Sequence, residues 1–353
     1  MNKLLVICGP TATGKTKLAF RLAKELTVGK KTLDLEGELV SADSRQVYKG
    51  LDIGTGKDIP KNAKFKLAKN KQGKDLGVYY EVGKTKIWGC DLVDPKQEFS
   101  VAHYVNVVDE IIKDIWARDK LPILVGGTGL YIKAIVEGIP TIVIPKNTRL
   151  RKSLEKMKRA ELFERLAKID PMKAAAMNYS DKRNPRRLVR AIEIGQWKLK
   201  NELKKDVSRE DLSVLTIGLR TDKKLLAERI SKRVDSRVKM GLEKEIKGLL
   251  KNGVTWRHQS MDSLGYRQWK AFLGKHKAKK YSVLETNRDR KAVIEKWERE
   301  ENQYSKKQMT WFRRNKKINW FDIAKRGWQK NVVKLAKEWY KSEGDLINNA
   351  KKD

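Results

Sequence analysis

The sequence predicts an α/β fold: a parallel sheet flanked by helices, with a helical insertion domain and a small surface insertion. Three observations carry that expectation. Apolar, strand-like runs alternate with helix-period segments through residues 1–140. The octapeptide "GPTATGKT", residues 9–16, lies between the first such run and the first amphipathic one. From about 150 to 205 the chain instead turns helical and very basic.

The elements follow in order. "KLLVIC" (3–8) reads as a buried strand, and "KTKLAFRLAKEL" (15–26) as the helix after the glycine loop. "MNKLLVICGP" has the outline of a short leader, but its apolar run enters the loop directly, so a first strand is expected. A second strand, "ELVSAD", ends at Asp43. Residues from about 60 to 87 break the rhythm. "KNAKFKLAKNKQGKD" is polar and lysine-rich, and "VYYEVGKTKIW" reads as a hairpin turning near Gly83; together they make the surface insertion. In "SVAHYVNVVDEIIKDIWARD", Val101, Tyr104, Val105, Val108, Ile111, Ile112 and Ile115 share one helical face, and Ser100 suits the N-cap. "PILVGG" (122–127) is the next strand, "VLTIGL" (214–219) returns to the sheet, helices dominate 222–314, and "INWFD" (318–322) is a last short strand. The tail "NNAKKD" is expected to fray. The expected domains are a core over 1–140, a helical insertion over 141–210, a return to the core over 211–325, and a C-terminal helix and tail over 326–353.

Charge is the strongest global signal. Lys plus Arg number 80 against 44 Asp plus Glu, a net charge of +36, which favours a polyanionic partner, nucleic acid before an anionic membrane. Two cysteines, Cys8 and Cys90, are too few for a disulfide framework or a four-cysteine zinc site. The longest apolar stretch, "LPILVGGTGLYIKAIV", is broken by Gly126, Gly127, Gly129 and Lys133, so no membrane span is expected, and the two cysteines suit a reducing, cytoplasmic location.

The octapeptide fits G-x-x-x-x-G-K-[ST], and strand–loop–helix is the context that motif requires, so the fold expected is P-loop NTPase-like. The loop of Gly9, Pro10, Thr11, Ala12, Thr13, Gly14, Lys15 and Thr16 would wrap phosphate oxygens at a helix N-terminus, with the N–H groups of its residues other than Pro10 converging on them. Lys15 would neutralise a terminal phosphate, and Thr16 would reach a bridging Mg²⁺. The motif does not name the reaction. A nucleotide hydrolase carries an Asp at the end of a later apolar strand, whereas "ILVGGTGLY" has none. Asp43 is the acid that closes a good strand, in "VSADSRQVYKGLDIGTGK". It suits a proton acceptor beside a polar substrate, or a cap on the next turn. Ser44 and Gln46 are residue types that read a base edge. Three function classes remain open here: a transferase using a phosphorylated donor, a nucleoside or small-molecule kinase, and a non-catalytic RNA-binding protein.

Eight blocks resemble the tRNA dimethylallyltransferase (tRNA isopentenyltransferase) family, bacterial type. They are "GPTATGKT", "SADSRQVYKGLDIGTGK", "DLVDPKQEFSVAHY", "PILVGGTGLYIKAI", "NPRRLVRAIEI", "RISKRVDSRVKMGLEKEI", "SLGYRQW" and "YSKKQMTWFRR", in the family's order over residues 4 to 322. The "DSRQVYKGLDIGT" and "GGTGLY" blocks are the specific ones; the glycine loop alone is not. The resemblance implies that the loop holds the diphosphate of dimethylallyl diphosphate. The prenyl group then passes to N6 of adenosine 37 in the tRNA anticodon stem-loop, pyrophosphate leaves, and Mg²⁺ assists. It implies Asp43 as general base, Arg233 near the departing diphosphate, and tRNA contacts from Asp43, Ser44, Arg45, Gln46 and Thr128. It extends those contacts to Arg186, Arg187 and Arg190 in the helical insertion, and to Lys306, Lys307, Gln308 and Arg313 in the C-terminal signature. A monomer is implied.

Arg229, Arg233 and Arg237 also fall at i, i+4, i+8, a stripe that invites an anion. In the signature, Tyr304, Trp311 and Phe312 stand among the basic residues, as aromatics that stack on bases or fill core. Three positions depart from the family pattern: Trp88 and Gly89 replace a usual His pair, and Asn184 replaces a common Asp.

Overall fold

The computed structural model describes residues 2–26, 36–60, 62–70, 72–202, 211–275 and 283–342. The chain divides into two compact units, Met1–Val136 with Glu210–Asp353, and Glu137–Arg209. The "NNAKKD" tail lies outside the described residues.

In the first unit, β1 (Asn2–Cys8) leads through the glycine loop into α1 (Lys15–Glu25). Then come β2 (Gly37–Ser41), β3 (Lys64–Lys69), β4 (Asp75–Val82), β5 (Thr85–Trp88), α2 (Val101–Ala117), β6 (Leu121–Val125) and α3 (Gly129–Val136). The second unit holds α4 (Thr148–Leu154), α5 (Arg159–Ile169), α6 (Pro171–Ala176), α7 (Tyr179–Lys182) and α8 (Pro185–Lys198). The chain returns with β7 (Leu212–Arg220), α9 (Lys223–Lys239), α10 (Leu242–Lys251), α11 (Trp269–Lys275), α12 (Val283–Phe312), β8 (Asn319–Asp322) and α13 (Trp328–Lys341).

The sheet order is β3-β4-β5-β2-β6-β1-β7-β8. The six strands from β5 to β8 pair in parallel, and β3–β4 and β4–β5 are antiparallel, so the sheet is mixed. Here the structure departs from the expectation of a separate surface hairpin. The turn at Gly83 is present, with φ 61, but β5 runs beside β2 and carries the fully buried Trp88. Only β3, whose residues are mostly exposed, behaves as a surface element. Its lysines suit an edge strand that must not recruit another.

Both faces of the sheet are covered, which is why its central strands are apolar throughout. Leu4, Val6, Cys8, Val40 and Leu124 face α2, α9 and α12 in one core. Leu5, Ile7, Leu39 and Ile123 face α1 and α13 in the other. The helical face read for α2 is the buried one, and each buried aliphatic there is worth about 1.5–3 kcal/mol. Ser100 caps α2, its hydroxyl accepting the His103 N–H at 3.3 Å. Both cysteines are buried free thiols, pushed up to about 12 chiefly by burial.

The helical unit has its own core of Leu154, Leu162, Leu166, Leu188 and Ile192. At its centre the buried Glu193 carboxylate accepts from Arg151 at 2.7 and 2.9 Å, from Arg190 at 2.5 Å and from the Asn147 N–H at 2.6 Å. Burial opposes that charge, but these donors prevail and hold Glu193 down at about 2. Among the described residues no helix is long and apolar enough to cross a membrane.

Candidate active site

The carboxyl ends of β1, β2 and β6 open on a cleft of about 880 Å³, shared with α9 and α12. Its lining carries nine lysines and arginines against five carboxylates, which suits a polyanion.

The glycine loop forms one wall. Gly9 has φ 136, and a Cβ there would come within 2.4 Å of the Leu219 carbonyl oxygen, so only glycine lets the loop leave β1. Inside the loop the Pro10 carbonyl accepts from the Thr13 hydroxyl at 2.9 Å and the Lys15 ammonium at 2.7 Å. Burial and the nearby Arg233 charge pull Lys15 down to about 8. Thr16 lines the cleft beside it.

Asp43 stands two residues beyond β2. Its Oδ1 accepts the Arg45 N–H at 2.9 Å, so the carboxylate caps its own turn and also lines the cleft. The next N–H, of Ser44, donates to the Thr128 hydroxyl at 3.0 Å, which joins this turn to the loop after β6. Arg45 reaches the Gln259 carbonyl at 3.0 Å. Gln46 is engaged at both ends of its amide: it donates to the Gly56 carbonyl at 2.9 Å and accepts from the Ser41 hydroxyl at 2.8 Å. Its side chain therefore braces the turn.

The arginine stripe on α9 faces the cleft throughout, with Arg229, Arg233 and Arg237 all lining it. Arg233 donates to the Thr11 hydroxyl at 2.9 Å, the Asp58 carboxylate at 3.1 Å and the Gly56 carbonyl at 3.4 Å. Arg237 is buried, donates to the Gly54 carbonyl at 2.9 Å and pairs with Glu301 at 3.5 Å. Burial, with Arg233 beside it, pulls Arg237 down to about 10. A Cβ on Gly56 would lie 2.1 Å from Arg237 Nη2 and 2.4 Å from Arg233 Nη2, so the two guanidinium groups pack directly on this glycine.

α12 closes the cleft. Gln308, read from sequence as an RNA contact, is buried and clips two loops together. It accepts the Thr11 N–H at 2.9 Å and donates to the Gly127 carbonyl at 2.9 Å. Lys306, Lys307 and Arg313 are exposed, and Lys307 lines the cleft. Tyr304 also lines the cleft and bonds Thr128, while burial raises its pKa. Of the aromatics in the signature, Phe312 is core and Trp311 is 39% exposed.

Arg186, Arg187 and Arg190 belong to the helical unit, on α8. Arg186 and Arg187 are exposed, the latter paired with Asp181. Arg190 is used inside the unit, on Glu193 and on the Thr141 and Ile144 carbonyls at 2.9 and 3.0 Å. Trp88, the departure from the family pattern, is a core residue whose indole N–H donates to the buried Glu38 at 2.8 Å.

Sequence reasoning missed the groups that hold the 52–58 loop. The Glu245 carboxylate, from α10, accepts the N–H groups of Asp52 at 3.1 Å and Ile53 at 2.8 Å, and the Tyr266 hydroxyl at 2.5 Å. Tyr266 in turn accepts the Gly54 N–H at 3.1 Å. The "SLGYRQW" and "GLEKEI" blocks contain these residues, but no local spacing ties either to a loop about 190 residues upstream.

With this geometry in place, comparison with known proteins is informative. The IPP transferase family model matches residues 80–315. A tRNA dimethylallyltransferase of Halothermothrix orenii is 35% identical, with 96% of this chain and 94% of that protein covered. The crystal structure of a full-length tRNA isopentenylpyrophosphate transferase from Bacillus halodurans superposes with a TM-score of 0.62 at 30% identity, covering 99% of this chain and all of that one. A eukaryotic dimethylallyltransferase acting on tRNA shares the fold, with a TM-score of 0.68 at 21% identity, covering 99% of this chain and 80% of the other. The family model spans the arginine helix and the α12 signature, a relative at 35% identity is matched over 96% of this chain, and the chain belongs to the IPP transferase family.

Proposed function

We propose that this protein transfers the dimethylallyl group from dimethylallyl diphosphate to N6 of adenosine 37 in tRNA, releasing pyrophosphate. One observation carries the reading beyond family membership. A phosphate loop tied to Arg233 shares a single cleft with a lone strand-end carboxylate, Asp43. Anion chemistry and proton acceptance therefore meet across one space. The names of the matched relatives support the same donor and acceptor.

In this reaction the allylic C–O bond breaks as the adenine N6 forms a C–N bond, and negative charge builds on the departing diphosphate. Lys15, Arg233 and the loop N–H groups meet that charge where it develops. Asp43 takes the N6 proton, which an exocyclic amine must lose to remain neutral after alkylation. Its turn is fixed by the Arg45 N–H and, through Ser44, by Thr128, so the carboxylate is positioned before substrate arrives. A target base inside a stem-loop has to leave its stack to reach this depth.

The donor set also fits Mg²⁺. Thr16 offers a hard hydroxyl oxygen in the cleft, and the described residues hold no cluster of three or more acids, histidines or cysteines, so the ion would lean on substrate oxygens. Bound there, Mg²⁺ would neutralise the leaving diphosphate. We assign tRNA contacts to Arg45, Lys306, Lys307 and Arg313 around the cleft, and to Arg186 and Arg187 on the helical unit.

The test is a pair of reactions with purified protein, Mg²⁺ and unmodified tRNA, one with labelled dimethylallyl diphosphate and one with labelled ATP. Label from the prenyl donor is expected in the RNA. ATP turnover without prenyl transfer would replace this reading with a kinase.

A further inference from the structure

The hairpin that interrupts the sequence reaches the active site through a buried polar relay. Tyr80, on β4, donates its hydroxyl to Asp91 Oδ2 at 2.6 Å. The other carboxylate oxygen, Asp91 Oδ1, accepts from the Lys57 ammonium at 2.5 Å. Lys57 also donates to Asp52 Oδ1 at 2.5 Å and to the Tyr48 carbonyl at 2.8 Å. The Lys57 and Asp91 side chains are only 2% and 6% exposed, whereas Asp52 is 59% exposed. Burial opposes the Lys57 charge, but Asp91 and Asp52 outweigh it and raise its pKa above the ordinary lysine value.

What this ammonium joins matters more than its charge. Tyr48 follows the Asp43 turn, and the Asp91 N–H donates to the Gln46 carbonyl at 3.1 Å. Asp52 and Lys57 bracket the loop whose Gly54 and Gly56 carbonyls accept from Arg237 and Arg233, and whose next residue, Asp58, pairs with Arg233. The Lys57 backbone N–H closes the same loop on the Asp52 carbonyl at 3.1 Å. One cation thus fixes the segment after the proposed base against the loop that aims the arginines. A surface ion pair would be too loose for this, but a nearly dry one with every hydrogen-bonding direction filled holds a single geometry.

We propose that Tyr80, Asp91 and Lys57 are positioning residues that set Arg233 against the phosphate loop and Asp43, and that the hairpin serves the reaction as their outer buttress. The proposal rests on the prenyl-transfer reading for its effect on rate. Its effect on anion binding is independent of that reading. None of the three touches substrate in this account; each acts through the 52–58 loop.

The test uses full-length Lys57→Met and Tyr80→Phe proteins, with inorganic pyrophosphate binding followed by calorimetry and prenyl transfer followed by labelled donor. Lys57→Met is expected to weaken pyrophosphate binding and lower kcat/KM for the donor, each by about 10- to 100-fold, the scale set by a misplacement of roughly 1 Å. Affinity for tRNA should stay within about twofold. Tyr80→Phe, which loses one hydroxyl and keeps its ring, is expected to lower kcat/KM about 3- to 10-fold with folding intact. If Lys57→Met does not fold, Tyr80→Phe decides alone. In an Arg233→Ala background Tyr80→Phe should have no further effect, because the group it positions is gone. Normal pyrophosphate affinity and normal turnover per folded molecule, with only a lowered Tm, would overturn the proposal and leave the relay as plain core. The expected pyrophosphate effects with no prenyl transfer by the unmodified protein would instead refute the proposed reaction.

Discussion

Gln308 on α12 accepts the Thr11 N–H at 2.9 Å, across 297 residues of sequence. Its other amide end donates to the Gly127 carbonyl, so one side chain clips the phosphate loop to the loop after β6. A residue that reads in sequence as an RNA contact is thereby part of the diphosphate site's frame. Gln308→Ala should weaken pyrophosphate binding about tenfold, since it removes the two hydrogen bonds that hold the loop in place, each worth about 0.5–1.5 kcal/mol. Calorimetry would show it, and tRNA affinity should change less.

Asp43 has two jobs that substitution can separate. Asp43→Asn keeps an oxygen for the Arg45 N–H and so keeps the turn. It removes the proton acceptor. Turnover should fall by about 10²–10⁴-fold with tRNA affinity nearly unchanged, read by single-turnover transfer and filter binding. Asn that works as well as Asp would reduce this residue to a cap.

Lys15 gives a pH signature. Its pKa is pulled down to about 8, mainly by burial and then by Arg233. Below that value the ammonium is charged and meets the diphosphate; above it the charge is lost. Donor affinity should therefore fall as pH rises from 7 to 9, by at most about tenfold per unit for one proton. Binding should take up a proton near pH 8. Lys15→Met should bind weakly at every pH, without the decline.

Lys306 and Lys307 lie exposed beside the cleft on a segment free of acids. Replacing both by Ala should weaken tRNA binding and lower the slope of log K against log salt by about 1 to 2, near one unit for each phosphate left without its cation. An unchanged slope would move the RNA footprint elsewhere.

Glu193 organises the helical unit. Its pKa of about 2 lies below the ordinary 4.5, so its stabilisation is complete above pH 4.5 and is lost as pH falls towards 2. Glu193→Ala leaves Arg151 and Arg190 facing a void and should cost about 3 kcal/mol. Hydrogen exchange over 137–209 should rise in that variant and, in the unmodified protein, below pH 4.5.

Much of this was legible because it is local. The strand–loop–helix frame of residues 2–26, the Ser100 cap, the buried face of α2 and the arginine stripe on α9 all depend on spacings of a few residues. The hairpin was half legible. Lysines 64, 66 and 69 correctly mark β3 as exposed, yet the same basic run hid that Tyr79, Ile87 and Trp88 alternate into the two cores. The supports of the site were hidden for a different reason. Glu245 under Ile53, Gln308 under Thr11 and Lys57 on Asp91 join segments 34 to 297 residues apart. No period encodes them; the sheet order brings them together.

The central claim is that Asp43 accepts a proton from N6 of one adenosine while the glycine loop receives the departing diphosphate. The most direct measurement is to digest tRNA after reaction with dimethylallyl diphosphate and identify the prenylated nucleoside and its position by mass spectrometry. The account predicts N6-dimethylallyladenosine at position 37 alone, absent when that adenosine is replaced and strongly reduced at matched early times when Asp43→Asn protein is used. A prenyl group on another atom or position, or undiminished product from Asp43→Asn, would contradict it.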